Sequence, residues 1–193
     1  MKIHIFKGGY DRNFCYLVVD GNEAVLIDPF TDDKIDAKLK KLKLKYIINT
    51  HSDFDHTEGN EHYHSKFGGE IINSGNNLFF GKTKIKIIKT PGHTQDSICI
   101  LIDKNLFTGD TLFVGKVGGT GSEQSAKQEY DSLHKLMELP EDIIVYPGHD
   151  YGVRPTSTIG REKKENPFLQ RDFKDFLLLK RNWLQYKAER GIQ

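Results

Sequence analysis

The chain has 193 residues, a length that suits one domain able to bury a sizeable core. Lys plus Arg total 28 against 27 for Asp plus Glu, a formal net charge of +1, so no overall field recruits nucleic acid or an anionic membrane. No apolar stretch approaches the roughly 20 residues needed to cross a bilayer, and Met1–Lys7 alternates like a strand instead of carrying the apolar core of a signal peptide. Cys15 and Cys99 each sit inside an apolar run, which suits buried free thiols in a reducing compartment better than a disulfide. A cytoplasmic protein with no nucleic-acid or membrane partner is therefore expected.

In chain order, Gly8-Gly9-Tyr10 turns the first strand, Asn13 to Asp20 reads as a second, and Gly21-Asn22 is a hairpin signal before a third over 24–27. That strand ends at Asp28-Pro29. Asp28 is either a carboxylate facing a cleft, where it can orient a ligand histidine, or a turn-initiating Asp before Pro. Thr31 reads as an N-cap with Asp32 and Asp33 in the first turn, and Ile35, Leu39 and Leu42 recur at helical spacing, so a helix is predicted over 32–43. A strand over 46–49 follows, then a short helix over 59–66 whose His62 and His64 diverge and read as surface residues. Next come a strand over 70–73, a turn at Ser74-Gly75-Asn76-Asn77, and strands over 84–89, 97–102 and 105–108. The glycine-rich run 115–121 lacks the Gly-Lys-Ser/Thr of a phosphate-binding loop and reads as a mobile cleft wall. A helix over 123–138 stops before Pro140, a buried strand covers 143–145, and a final helix covers about 171–189. No repeat or internal linker appears, so residues 1–193 read as a single domain with that last helix packed on it.

The chemistry-bearing residues gather at the ends of these strands. Thr50-His51-Ser52-Asp53-Phe54-Asp55-His56 puts four candidate ligands within six residues, just after the apolar Tyr46-Ile47-Ile48. In extended chain, residues two apart point the same way, so His51, Asp53 and Asp55 can converge, and His56 joins as the backbone turns. Two imidazoles and two carboxylates suit a divalent cation such as zinc, iron or manganese. The arrangement recurs: His93 follows a strand in Pro91-Gly92-His93-Thr94, Asp110 in Gly109-Asp110-Thr111, and His149 in Pro147-Gly148-His149-Asp150-Tyr151.

In order and context these segments (Thr-His-x-x-x-Asp-His, Pro-Gly-His-Thr, Gly-Asp-Thr-Leu-Phe and Pro-Gly-His-Asp-Tyr) resemble the metallo-β-lactamase superfamily. The resemblance implies an α/β fold, the four-layer αββα sandwich, with metals at one edge. The Gly-Asp-Thr-Leu-Phe segment, His149-Asp150-Tyr151, and the tail from Ser-Thr-Ile-Gly-x-Glu to Asn-Pro-Phe look most like the glyoxalase II and persulfide dioxygenase branch. By that likeness one metal takes His51, Asp53, His93 and Asp110, and the other takes Asp55, His56, His149 and the shared Asp110. Asp55 and Asp110 would act in catalysis, and Asp28 would stand behind a ligand. Tyr151 matches a tyrosine that contacts the thiol carrier. A basic residue that grips glutathione in the family aligns with Gly119, so Lys116, Arg154 and Arg161 are the replacements on offer.

Where the family pattern reads His-x-His-x-Asp-His, this chain reads His-x-Asp-x-Asp-His. A third carboxylate lowers the net charge of a filled two-metal centre to about zero, weakens its pull on bound water, and favours iron or manganese over zinc. Flavodiiron proteins resemble the chain in carrying a carboxylate at the matching position. The expectation is a hydroxyacylglutathione hydrolase-like enzyme with two divalent ions, in which hydroxide attacks the thioester carbon of a small thiol-derived substrate. If Asp53 stands aside, His51, His93 and Asp110 form a two-His-one-carboxylate triad, and the alternative is a persulfide dioxygenase with one iron(II). Hydrolysis of other esters or lactones, and a non-catalytic metal-binding role, complete the alternatives. A homodimer is compatible with the sequence, which does not fix the oligomeric state.

Overall fold

Strands β2 (Asn13–Asp20) and β3 (Glu23–Ile27) are buried along most of their length, as strands covered on both faces should be. Phe14, Tyr16 and Val18 of β2 point into one apolar cluster, while Cys15 and Leu17 point into another. This alternation places β2 between two layers. The computed structural model, which describes residues 1–72 and 78–190, shows what those layers are.

The first sheet has the order β1 (Lys2–Gly8), β2, β3, β4 (Lys43–Ile48), β5 (Glu70–Ile72). It is antiparallel from β1 to β3 and parallel from β3 to β5, with Ile27 opposite Ile48. The second sheet runs β11 (Ser157–Thr158), β10 (Ile144–Pro147), β9 (Asn105–Gly109), β8 (Ile98–Ile102), β7 (Thr83–Lys89), β6 (Leu78–Phe80), with β9 and β10 parallel. Between the sheets lie Phe14, Tyr16, Ile27, Ile48, Ile100 and Phe107, where Tyr16 meets Phe107 and Tyr146 at centroid distances of 5.0 and 5.5 Å. Helices α1 (Asp33–Leu39) and α3 (Asn60–Phe67) cover the first sheet through Ile35, Leu39 and Tyr63. Helices α4 (Glu123–Met137), α5 (Ile159–Glu165), α6 (Phe173–Arg181) and α7 (Trp183–Arg190) cover the second through Leu133, Ile159, Phe176 and Trp183. The result is the expected four-layer αββα sandwich.

Local departures from the sequence reading have physical causes. The cap of α1 is Asp32, which accepts from Lys34 N at 2.6 Å, because Glu58 engages both the backbone and the hydroxyl of Thr31. That helix stops at Leu39 and leaves Lys43 and Leu44 to pair in β4, shorter and earlier than the apolar spacing suggests. Strand β6 is an addition, and so is the single helical turn α2 (Phe54–Thr57). The final helix is two, broken at Asn182, which turns Trp183 onto Phe168 at a centroid distance of 4.9 Å. The run 115–121 forms a wall but a tethered one. Gly115 N donates to Glu162, Asn166 donates to Lys116 O at 3.2 Å, and Lys180 donates to Gly118 O at 2.7 Å. Cys15 and Cys99 are buried free thiols. The turn read at Ser74-Gly75-Asn76-Asn77 and the last residue of the strand read over 70–73 lie outside the described residues.

The sheets are joined at the rim where strands β3, β4, β9 and β10 end. Ile98 N donates to Thr50 O at 2.8 Å, Phe14 N to Gly148 O at 2.8 Å, and Tyr16 Oη to Pro147 O at 2.6 Å. The opposite rim is joined by carboxylates: Glu23 accepts from Gly81 N, and Asp20 from Lys82 N and Thr83 Oγ1. The first of these rims carries His51, His56, His93 and His149.

Candidate metal centre

Parallel neighbours deliver their C-terminal ends to one place, and that place is the rim of the sandwich. Past β4, the chain presents His51 and then enters α2, whose single turn carries Asp55 and His56. Asp55 thus reaches the rim from a helical turn, where an extended run was expected. Asp53 occupies the N-cap position of α2 without capping it, which leaves its carboxylate free. Past β7, β9 and β10 come His93, Asp110 and His149. Gly148 N bonds Gly109 O at 2.9 Å, and this brings the last two together. Position 148 has to be glycine: a Cβ there would meet the Asp110 carboxylate and lie 2.8 Å from His56 Cε1.

Two sets of side chains result. The ligand atoms of His51, His93 and Asp110 lie within 4.8 Å of one another, and those of Asp55, His56 and His149 do the same. Asp110 stands between them, with Oδ1 3.4 Å from His56 Nε2 and Oδ2 3.3 Å from His149 Nε2 and 3.8 Å from His93 Nε2. Asp53 Oδ2 is 3.4 Å from both His51 Nε2 and His93 Nε2, so the exposed third carboxylate faces the first set.

Hydrogen-bond partners fix the tautomer of three of the four rings. His93 Nδ1 donates to Gly119 O at 2.8 Å and His149 Nδ1 to Asp11 O at 2.8 Å. His56 Nδ1 faces Asp28 Oδ2 at 3.0 Å. Thr50 Oγ1 gives its proton to Asp28 Oδ2 at 2.7 Å and so accepts from His51 Nδ1 at 3.1 Å. The rings of His51, His93 and His149 therefore turn an Nε2 lone pair to the same space, which His56 Nε2 also faces. His56 and His149 Nε2 are 3.2 Å apart, and buried His51 Nε2, His93 Nε2 and Asp110 Oδ1 have no hydrogen-bond partner among the described residues. Facing lone pairs and orphaned buried acceptors repel unless a cation or proton lies between them, so this donor set fits divalent metal ions.

Charge arranges the rest. Burial acts to lower His56, but Asp28 and Asp110 outweigh it and hold the imidazole well above its ordinary pKa. Burial acts to raise Asp110, but His149 and His56 hold it well below the carboxylate range. Asp55 is likewise lowered against burial, first by the hydrogen bond from Asn13 Nδ2 at 2.8 Å and then by the two histidines. Cation and proton thus compete for one space, and metal binding should release protons. Asp28 itself sits at φ +50, an uncommon left-handed conformation for a non-glycine residue, and also accepts from Thr50 N at 2.7 Å.

Around the centre, the Tyr151 ring stacks on His149 at 4.7 Å and its hydroxyl donates to Asp11 at 2.5 Å. Lys116 Nζ lies 4.2 Å from the Tyr151 ring centre and Arg12 5.0 Å. Arg154 and Arg161 turn to Glu165 on α5 and pair there instead. Asn13, Asp11 and Thr50 were missed by the sequence reading. Asn13 carried one available signal, a polar residue opening an apolar strand, while Asp11 holds His149 through a backbone carbonyl that any residue would supply.

The sequence profile of the Metallo-beta-lactamase superfamily matches residues 8–83 and 69–149. The chain belongs to that superfamily. It is 38% identical over 160 residues to a hydroxyacylglutathione hydrolase of Francisella philomiragia, covering 72% of this chain and 64% of that protein. A hydroxyacylglutathione hydrolase of a Polaromonas species is 34% identical over 172 residues, covering 76% and 65%. The chain thus spans about two thirds of the length of these relatives. Among solved structures, ETHE1 from Myxococcus xanthus superposes with a TM-score of 0.86 at 30% identity, covering 95% of this chain and 91% of that one. No helix among the described residues is long and apolar enough to cross a membrane.

Proposed function

We propose that the chain is a metal-dependent thioester hydrolase acting on a small thiol-derived substrate. The observation that carries this reading is Asp110, whose two carboxylate oxygens reach toward both sets at once and suit a two-metal centre. Divalent cations held there would supply an activated water and polarise an acyl carbonyl. Asp55, kept ionised by Asn13 and the histidines, would orient that water, and Asp53 would make the first set oxygen-rich, which favours iron or manganese over zinc. Burial and then Asp11 push Tyr151 up and commit its proton, so Tyr151 is, for a leaving group, a poor general acid. A thiolate, with an ordinary pKa of about 8.5, leaves without one, whereas an amine does not. Lys116 beside Tyr151 supplies positive charge for the carrier where Gly119 cannot, and a groove of about 520 Å³ opens beside it between residues 116–123 and α6–α7.

A second reading rests on its own observation. His51, His93 and Asp110 form a two-His-one-carboxylate set, and the likeness to ETHE1 spans nearly all of both chains, which fits a persulfide dioxygenase with one iron. The deciding experiment is metal analysis of protein purified with and without air, beside assays of lactoylglutathione hydrolysis and persulfide-dependent oxygen uptake. Two metals per chain with hydrolysis, lost on chelation and regained on reloading, is the expected result. One iron with oxygen uptake replaces the first reading by the second.

A further inference from the structure

Behind the first set lies a buried ion pair. Lys180 of α6 contacts Glu129 of α4, with Glu129 fully buried and the Lys180 side chain 11% exposed. Burial pushes Glu129 up against the pull of Lys180 and pushes Lys180 down against the pull of Glu129, so each charge persists only through the other. A buried pair of this kind is weak as a source of stability. What it touches gives it another use.

Lys180 Nζ also donates to Gly118 O at 2.7 Å, and the next carbonyl, Gly119 O, accepts the Nδ1 proton of His93 at 2.8 Å. Gly118-Gly119 has the largest backbone freedom of any dipeptide, so the carbonyl that orients His93 needs an outside anchor. Glu129 fixes that anchor by holding Lys180, and α4 packs so closely on Gly92, beside His93, that a Cβ there would overlap Glu129. Gly118 has no room for a side chain either, because a Cβ would overlap Asp110 O and lie 3.0 Å from Glu129 Oε1.

We infer that the Lys180–Glu129 pair is a positioning device for His93, fixing its Nε2 toward the first set through the Gly118-Gly119 backbone. The inference rests on reading His93 as a cation ligand and is independent of the substrate. Lys180→Met keeps the apolar stem without the ammonium, and Glu129→Gln keeps the shape without the charge. In the zinc-loaded full chain, solvent exchange of the His93 Nδ1 proton is followed by NMR, and the zinc affinity of each set by competition with a chelator. Both variants should speed that exchange and weaken the first set about tenfold or more while the second set holds, the scale expected for an outer partner of a metal ligand. The rate should fall through kcat with KM nearly unchanged. Lys104→Met, which removes an exposed ion pair with Asp142, should change neither. If a single variant fails to fold around its orphaned charge, Glu129→Leu with Lys180→Met leaves no buried charge and should show the same His93 loss. Unchanged exchange and affinity in any folded variant, or equal weakening of both sets, overturns the inference whatever the change in Tm. Absence of hydrolysis in a protein that shows the His93 effect removes only the thioesterase reading.

Discussion

The two ligand sets differ in how they are supported. In the second, His56 and His149 are nearly inaccessible, one faces the Asp28 carboxylate, the other donates to Asp11 O, and Asn13 holds Asp55. In the first, His93 is partly exposed, Asp53 is 49% exposed at its side chain, and the orienting groups are a neutral hydroxyl on His51 and a glycine carbonyl on His93. Charge makes the second set the more basic, while the first, whose His51 is just as buried, rests on neutral dipoles and a loop. The first is therefore where the choice of metal can change without disturbing the frame.

Asp110→Ala tests whether the sets are one centre. It should reduce activity by at least about a hundredfold, the scale on which a lost electrostatic stabiliser costs, and lower metal content at both sets. Loss confined to one set would separate them. Asp28→Ala should weaken the second set, where it faces His56 directly, by roughly 10- to 100-fold, and the first set less, where it acts on His51 only through Thr50. It also strands the buried Thr50 donors, so about 1–3 kcal/mol of stability should go with it in denaturant titrations. Equal loss at both sets would show that Asp28 supports the two alike. Asp53→His should raise the ratio of zinc to iron taken up by the first set, and unchanged metal content would place Asp53 outside coordination.

The smallest effect is expected at the other end of β3. Glu23 is held down to about 2, first by the Gly81 N–H and then by Lys43 and Lys45. A carboxylate with a depressed folded pKa stabilises above its unfolded value of about 4.5, and that contribution is lost as pH falls toward 2. Glu23→Gln should thus flatten the acid limb of the stability curve between those values, read by thermal unfolding across pH, and leave metal content at both sets unchanged.

Much of this was legible in the sequence because a strand end is a local event. Apolar runs on either side of the Gly21-Asn22 hairpin signal located β2 and β3, and a histidine or aspartate at a strand end marked His51, His93, Asp110 and His149. What supports those residues was not legible. Asp11 acts through its carbonyl, Thr50 through a three-way exchange with Asp28 and His51, and Lys180 through a glycine 62 residues away. Thr31 and Asp32 are equally good caps by type, and Glu58, 27 residues on, decides between them. The break at Asn182 likewise answers to Phe168, a contact that helical spacing does not encode.

Neither sheet alone owns either set. His51, Asp55 and His56 follow β4 of the first sheet, and His93, Asp110 and His149 follow strands of the second, yet each set mixes the two. A chain that has made only one of its layers would hold fragments of both constellations and no complete one. Ions would then favour the finished sandwich over every partial assembly, and their whole binding free energy would count toward keeping its halves clasped.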